Sequence, residues 1–281
     1  MPFLKGAKAR LIRALKVDAC RGMDPDSIHQ ASFHAAMLER KPPLKAFYAD
    51  TYRHMVDLRQ RFLPEASGRE IEIGSGGGFF REIRPRIWTT DIRPLPGVNG
   101  VLDACRMPFR DGSIAAIYVC FSLHHIPRVR EFLKEASRVL KPGGGIIATE
   151  PYWGPMGKVF FSALCDEPYL PQAPTWEFES LSPMSDSNQA LSYILLERDR
   201  EVLEREFPSL RVVYQRPFPS LRYLLAGALC GPQFLPTPLF GAVRRAESLL
   251  SASFFLHWST IFHAFVLRKD GDGNGNAGPP S

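Results

Sequence analysis

Three carboxylates, Glu72, Asp91 and Asp103, stand at matching places along one stretch of the chain. Each closes or follows a short run that reads as a strand: REIEI at 69–73, IWTTDI at 87–92, and a shorter run near 98–102. Acids at the carboxyl ends of strands in an open α/β sheet face the crevice where such sheets bind ligands. Behind Glu72 comes GSGGG (74–78), and a glycine-rich turn lets main chain approach a ligand closely. An acid behind that loop repels a pyrophosphate and suits a cationic ligand. A carboxylate at Asp91 can accept from both hydroxyls of a ribose. Asp103 can accept from an exocyclic amine such as that of adenine.

Two familiar anion-binding loops fit poorly. A P-loop requires Lys and then Ser or Thr after its last glycine, and here Phe79, Phe80 and Arg81 follow. The dinucleotide fingerprint, started at Gly74, needs a small residue where Phe79 stands.

The elements around these residues alternate. After a helical run at 44–63, strands are predicted at 69–73, 87–92, near 98–102, at 114–120 (IAAIYVC) and at 145–149. A helix over 128–140 shows apolar residues at 129, 132, 133, 136, 139 and 140, and KPGGG stops it. Alternating strands and helices indicate a doubly wound, mostly parallel, Rossmann-like sheet. Beyond Glu150 the texture changes. Residues 151–189 read as loops and short helices, 190–206 as one helix, and 210–216 and 260–267 as the last two strands, which makes seven in all. Between these strands lies an apolar insert, 217–257, broken by Pro and Gly. The expected organisation is a helical extension (1–64), a ligand-binding core (65–152), a cap with a helix (153–209), the last two strands with the insert (210–268), and a disordered tail (269–281).

Composition is that of an ordinary globular protein, with 45% hydrophobic and 23% charged residues. The net charge of +6 permits an anionic partner without identifying one. Five scattered cysteines without a CxxC pair suggest neither a disulfide framework nor a zinc site, so no metal is expected and a reducing, cytoplasmic setting fits. The first 16 residues carry five basic and no acidic side chains, with Leu4, Ala7, Leu11 and Leu15 near one helical face. They read as a helix packed on the domain, as a basic amphipathic helix on a membrane surface, or as an organelle-targeting peptide. They lack the apolar core and cleavage site of a secretory signal.

In this order and spacing, EIGSGGG, TDI, LDA followed by MPF, CFSLHHIP and LKPGGG resemble the class I S-adenosylmethionine-dependent methyltransferases, nearest the type 11 small-molecule group. The resemblance spans about residues 67–152. It implies that Gly74, Ser75, Gly76 and Gly78 pass beside the methionine part of S-adenosylmethionine, with Glu72 behind the loop. It implies further that Asp91 and Ile92 meet the ribose and adenine, that Asp103, Ala104 and Met107 complete the adenine pocket, and that Phe121 and His125 lie near the methionine end.

Methyl transfer from a sulfonium is a direct displacement, so no covalent enzyme nucleophile is needed. A hydroxyl acceptor would profit from a general base, and His125, His124 and Glu150 are the candidates. Tyr152, Trp153 and Trp176 are candidate acceptor contacts, with plain packing as the competing reading. The turn after the fourth strand lacks the Asn/Asp-Pro-Pro-aromatic motif of nucleobase amine methyltransferases, which disfavours nucleic acid. The insert reads as a lid on the core, or as a lid that also dips into a bilayer or cradles a lipid-like acceptor together with residues 1–16. No run in it approaches the ~20 apolar residues of a membrane span. The expected function is methylation at oxygen or carbon of a small, hydrophobic or lipid- or glycan-linked acceptor, in the cytoplasm or at a membrane surface. The alternatives are an RNA or protein methyltransferase, suggested by the charge, and a binding protein without turnover.

Overall fold

The sequence IAAIYVC becomes a strand whose seven residues, Ile114–Cys120 (β4), are all buried. A continuous apolar run of this kind marks a parallel strand covered on both faces. The computed structural model describes residues 35–165, 167–250 and 254–271. In it β4 lies at the centre of a seven-stranded sheet ordered β3-β2-β1-β4-β5-β7-β6. The other strands are β1 (Arg69–Ile73), β2 (Trp88–Asp91), β3 (Gly100–Val101), β5 (Leu140–Pro151), β6 (Leu210–Phe218) and β7 (Phe262–Lys269). β7 runs antiparallel between β5 and β6, and every other neighbouring pair is parallel. The doubly wound sheet expected from the sequence is therefore present, with the insert entering before its last strand.

Successive side chains of a strand point to opposite faces, and β4 shows both. Ile117 and Val119 pack with Phe132, Leu133 and Ala136 of the helix Val129–Val139. Ala116, Tyr118 and Cys120 pack on the other face with Tyr52, Met55 and Leu58 of the helix Pro42–Phe62. The helix Pro42–Phe62 thus covers this face together with Phe80 and Ile87. Its Arg59 and the later Arg84 both pair with the buried Glu70 at 2.9 and 2.5 Å, and the Tyr118 hydroxyl donates to the same carboxylate at 3.1 Å.

Two elements differ from expectation. β5 begins at Leu140, where the preceding helix ends, and absorbs KPGGG through an irregularity in its pairing with β4. The predicted helix 190–206 is broken: Leu191–Tyr193, a wider π turn at Ile194–Arg198, and Arg200–Glu206. The extra residue of the π turn swings Asp199 toward the cap, where its carboxylate accepts the Trp176 indole N–H at 2.8 Å.

The insert forms short helices at Leu221–Leu225, Phe240–Leu250 and Phe254–Ser259. Buried charges tie it to the extension. Arg222 reaches Asp50 at 2.7 Å and also pairs with Glu247, while Lys41 donates to the carbonyls of Ala228, Leu229 and Gly231. Burial lowers the Lys41 amine to about 8. Cys105 and Cys120 are free thiols, and Cys230 takes part in a disulfide, which the scattered spacing did not suggest. No helix among the described residues is long and apolar enough to cross a membrane. The basic segment 1–16, and the tail beyond residue 271, lie outside the described residues.

Candidate functional site

The turn after β1 carries three glycines with positive φ, at 74, 76 and 78. They serve different purposes. A Cβ on Gly76 would meet nothing within 4 Å, so this glycine faces open space. A Cβ on Gly74 would strike the Ser122 side chain at 2.6 Å, and one on Gly78 would strike the Gly97 carbonyl at 2.4 Å. Gly76 is the position where main chain can lie against a ligand, whereas Gly78 packs the loop onto its neighbour and does not line the cavity.

That cavity has a volume of about 1260 Å³ and opens at the carboxyl ends of β1, β2 and β4. Pockets for small molecules are typically about 300–1,000 Å³, so there is room for a cofactor and an acceptor together. At one end, Gly74 to Gly77, Asp91, Ile92, Asp103 and Ala104 form the wall. Asp91 accepts from the Gly76 N–H through Oδ2 at 3.1 Å and from Arg93 (N and Nε) through Oδ1 at 3.1 Å. Ile92 is half exposed beside it, as a residue presented to a flat ring would be. Asp103 turns one oxygen to the Cys105 N–H at 2.8 Å. These groups fit the adenosyl half of S-adenosylmethionine: carboxylates for ribose and amine, an apolar face between them, and an open glycine.

Glu72 is fully buried one layer behind this wall. Tyr52 donates its hydroxyl to Oε1 at 2.7 Å, and Oε2 has no hydrogen-bond partner. Burial pushes the carboxyl up to about 7 against the hydrogen bonds from Tyr52 and Ser75. Phe121 lines the cavity with φ of 52°, an uncommon conformation for an aromatic residue, held by its N–H on the Thr149 carbonyl at 2.9 Å. Its ring packs on Phe262 and Tyr48.

A second polar group lies on the short turn Leu123–His125. Glu150, at the end of β5, accepts the N–H groups of Ser122 and Leu123 at 2.8 Å through Oε1, and Nδ1 of His124 lies 2.6 Å from its Oε2. On the other side, Glu167 lies 3.4 Å from Nε2 of His124 and 3.6 Å from Nε2 of His125. Burial disfavours a charged His124, but Glu150 and then Glu167 outweigh it and carry the imidazole up to about 10. Burial, then the charge on His124, lowers His125 to about 4. Burial would raise Glu167, yet the two histidines and Gln189 hold it at about 2. Glu150 itself is buried away from the cavity and acts by fixing the turn.

The candidate acceptor contacts do not meet the cavity. The Tyr152 hydroxyl lies 2.5 Å from Nδ1 of His257. Trp153 stacks between Tyr169 and Tyr193, with Lys158 over its ring. Trp176 is buried with Arg130 over its face at 4.0 Å. None of the three is a lining residue, and plain packing accounts for them. Met107 also belongs to the core, its N–H bound to Glu135 at 2.8 Å. In their place stand residues of the insert, such as Tyr223, Leu224 and Phe234, which fits its reading as a lid, and residues that sequence reasoning passed over: Tyr48 and Tyr52 of the extension, Arg93, Phe160, Glu167 and Gln189. A tyrosine four residues from another on an amphipathic helix gives no sign of facing a site, and Glu167 and Gln189 sit in a segment without periodicity.

Residues 71–148 match the family model for a methyltransferase domain. Over 62 residues the chain is 39% identical to a demethylmenaquinone methyltransferase of Staphylococcus saprophyticus, covering 22% of this chain and 26% of that one. Over 92 residues it is 34% identical to a ubiquinone/menaquinone biosynthesis C-methyltransferase of Brucella abortus, covering 31% and 33%. Over 45 residues it is 44% identical to a sterol 4-C-methyltransferase of Caenorhabditis elegans, covering 16% and 14%. The matches therefore span no more than a third of these relatives. Among solved structures, the geranyl diphosphate C-methyltransferase of Streptomyces coelicolor aligns over 95% of this chain and 98% of its own, with a TM-score of 0.48 and 14% identity. It is thus over residues 71–148 that the chain resembles a methyltransferase domain.

Proposed function

We propose that the protein transfers a methyl group from S-adenosylmethionine to oxygen or carbon of a small, hydrophobic or lipid- or glycan-linked acceptor. The observation that carries this reading is the division of one cavity into two ends. Gly76, Asp91 and Asp103 make a nucleoside-type end, and Met156, Phe160, Phe161, Tyr223, Leu224 and Phe262 make an apolar remainder. The relatives matched over short stretches include a demethylmenaquinone methyltransferase and a sterol methyltransferase, which agrees with an apolar acceptor.

S-adenosylmethionine would supply an activated methyl group on a sulfonium sulfur. The chain's own residues would bind, orient and exclude water. Asp91 would hold the ribose, Asp103 the adenine amine, and Gly74 to Gly76 the amino-acid end, with Phe121 and Tyr48 closing the floor between the two ligands. His125 lines the cavity and is uncharged at neutral pH; lowered to about 4, it would be too weak a base to take a proton from a hydroxyl acceptor and would contact the ligands as a neutral ring. The aromatic walls would keep bulk water from the methyl group.

Val159, Leu164 and Phe234 line the cavity and yet remain exposed, so they rim its mouth with apolar surface. A rim of this kind suits a protein that takes its acceptor from a lipid surface, as a peripheral membrane enzyme would.

Calorimetry with S-adenosylmethionine tests the first step: micromolar binding is expected in the wild type and its loss in Asp91→Ala. Incubation with labelled cofactor and fractionated cell extract tests the second. Label in the lipid-soluble fraction supports the reading, whereas label confined to RNA or protein would replace it.

A further inference from the structure

The turn Leu123–His125 sets two imidazoles side by side in the cavity wall, ring centroids 4.3 Å apart. Their Nε2 atoms lie 3.4 and 3.6 Å from the same oxygen, Oε2 of Glu167, and the three groups can present donor atoms all within 4.8 Å of one another. In a tetrahedral site with metal–ligand bonds of about 2.0–2.1 Å, neighbouring donors stand roughly 3.3–3.4 Å apart. Two of the three separations already approach that edge.

The groups behind these donors are fixed. Nδ1 of His124 meets Glu150, which is itself anchored by the Ser122 and Leu123 N–H groups. A carboxylate behind a histidine is the outer arrangement that sets the tautomer of a metal-ligating imidazole and leaves its far nitrogen for the ion. On Glu167 the Ser187 hydroxyl, at 3.2 Å, and the Gln189 amide donate to Oε2 itself, so an ion would take the place of these donors on that oxygen or bind the other one. His124, His125, Glu167 and Gln189 all line the cavity.

We propose that His124, His125 and Glu167 form a binding site for a divalent transition cation, open on its remaining side to the cavity. Two imidazoles and one carboxylate suit zinc and its first-row neighbours; magnesium and calcium favour all-oxygen sets. Binding replaces any proton on Nε2 of His124, which leaves to solvent, while Nδ1 keeps its proton and donates it to Oε2 of Glu150. The open position would take an oxygen of the acceptor and polarise it. That role rests on the methyltransferase reading, but ion binding does not.

The test uses the full chain, stripped with chelator, dialysed against zinc chloride and assayed for metal by mass spectrometry. One equivalent is expected. Glu167→Gln and His125→Ala should each lower zinc affinity at least about 100-fold, and Glu150→Gln roughly 10- to 100-fold. Cooperative melting of each variant is checked first, and if His125→Ala fails it, Glu167→Gln decides. Absence of zinc above background in the wild type overturns the site, as does unchanged affinity in Glu167→Gln. Calorimetry with S-adenosylmethionine on the same samples separates the two proposals. Zinc without cofactor binding removes the methyltransferase reading and leaves the metal site; cofactor binding without zinc does the reverse.

Discussion

The hydroxyl of Tyr52 donates to Oε1 of Glu72 at 2.7 Å and so joins the N-terminal helix to the acid behind the glycine loop. Burial raises that acid to about 7 from an ordinary 4.5, with the charge of Asp91 adding to the effect. The folded state therefore keeps a proton that the unfolded chain gives up. Stability from this group is fully present below about pH 4.5 and is lost as pH rises through 7. Glu72→Gln, whose amide oxygen still accepts from Tyr52, should remove the slope. It should match the wild type near pH 4.5 and exceed it at pH 8 by up to about 3 kcal/mol. Urea titrations across this range check it, and parallel curves for the two proteins would contradict the assignment.

Arg93 occupies the carboxylate that would hold the ribose. Its Nε lies 3.1 Å from Oδ1 of Asp91, and its Nη1 is buried without a partner. Arg93→Ala leaves Asp91 charged with one ligand fewer, so the free protein should lose about 1–3 kcal/mol. A ribose then restores the missing hydrogen bonds. The melting temperature of the free variant should fall, and the rise on adding S-adenosylmethionine should be larger than in the wild type. Equal shifts in both proteins would show that Arg93 does not compete for Asp91.

Gly76 and Gly78 separate binding from folding. Both have positive φ, which costs an alanine roughly 1–2 kcal/mol. Only Gly78 also meets main chain, at the Gly97 carbonyl. Gly78→Ala should lower stability by more than about 3 kcal/mol. Gly76→Ala should lose less stability but weaken S-adenosylmethionine at least tenfold, because its methyl projects into the open side of the loop. Melting curves and calorimetry on the pair decide between these assignments.

The rim of the cavity carries the membrane prediction. Phe234 is 63% exposed at the mouth. Burying one such side chain contributes about 2 kcal/mol, so Phe234→Asp should reduce flotation with anionic liposomes more than tenfold. Unaltered flotation of the variant, or none by the wild type, removes Phe234 from any lipid contact.

The core was readable from sequence because its signals are local. Seven apolar residues in IAAIYVC and the spacing of Val129, Phe132, Leu133 and Ala136 follow from strand and helix geometry alone. The places of Asp91 and Asp103 were legible for the same reason, since the first closes a strand and the second follows one. The acceptor side was not, because its wall is assembled across long separations. Tyr48 meets Phe121, and Lys41 meets Gly231, by contacts that no short window holds. Trp153 and Trp176 misled for a related reason. An aromatic residue in an irregular segment looks available, but Tyr193 and Asp199 had already claimed these two.

The place of β7 bears on how the molecule is made. β6 has a single neighbour in the sheet, and that neighbour follows it in the chain by 44 residues, counted from Phe218 to Phe262. During synthesis β1 to β5 can pair as they emerge from the ribosome. β6 must wait, its edge unpaired, until residues 262–269 are out, and the insert that roofs the cavity is spun between the two. The end of the pocket built by Gly76 and Asp91 can thus mature on a nascent chain, while its apolar end closes with the last strand.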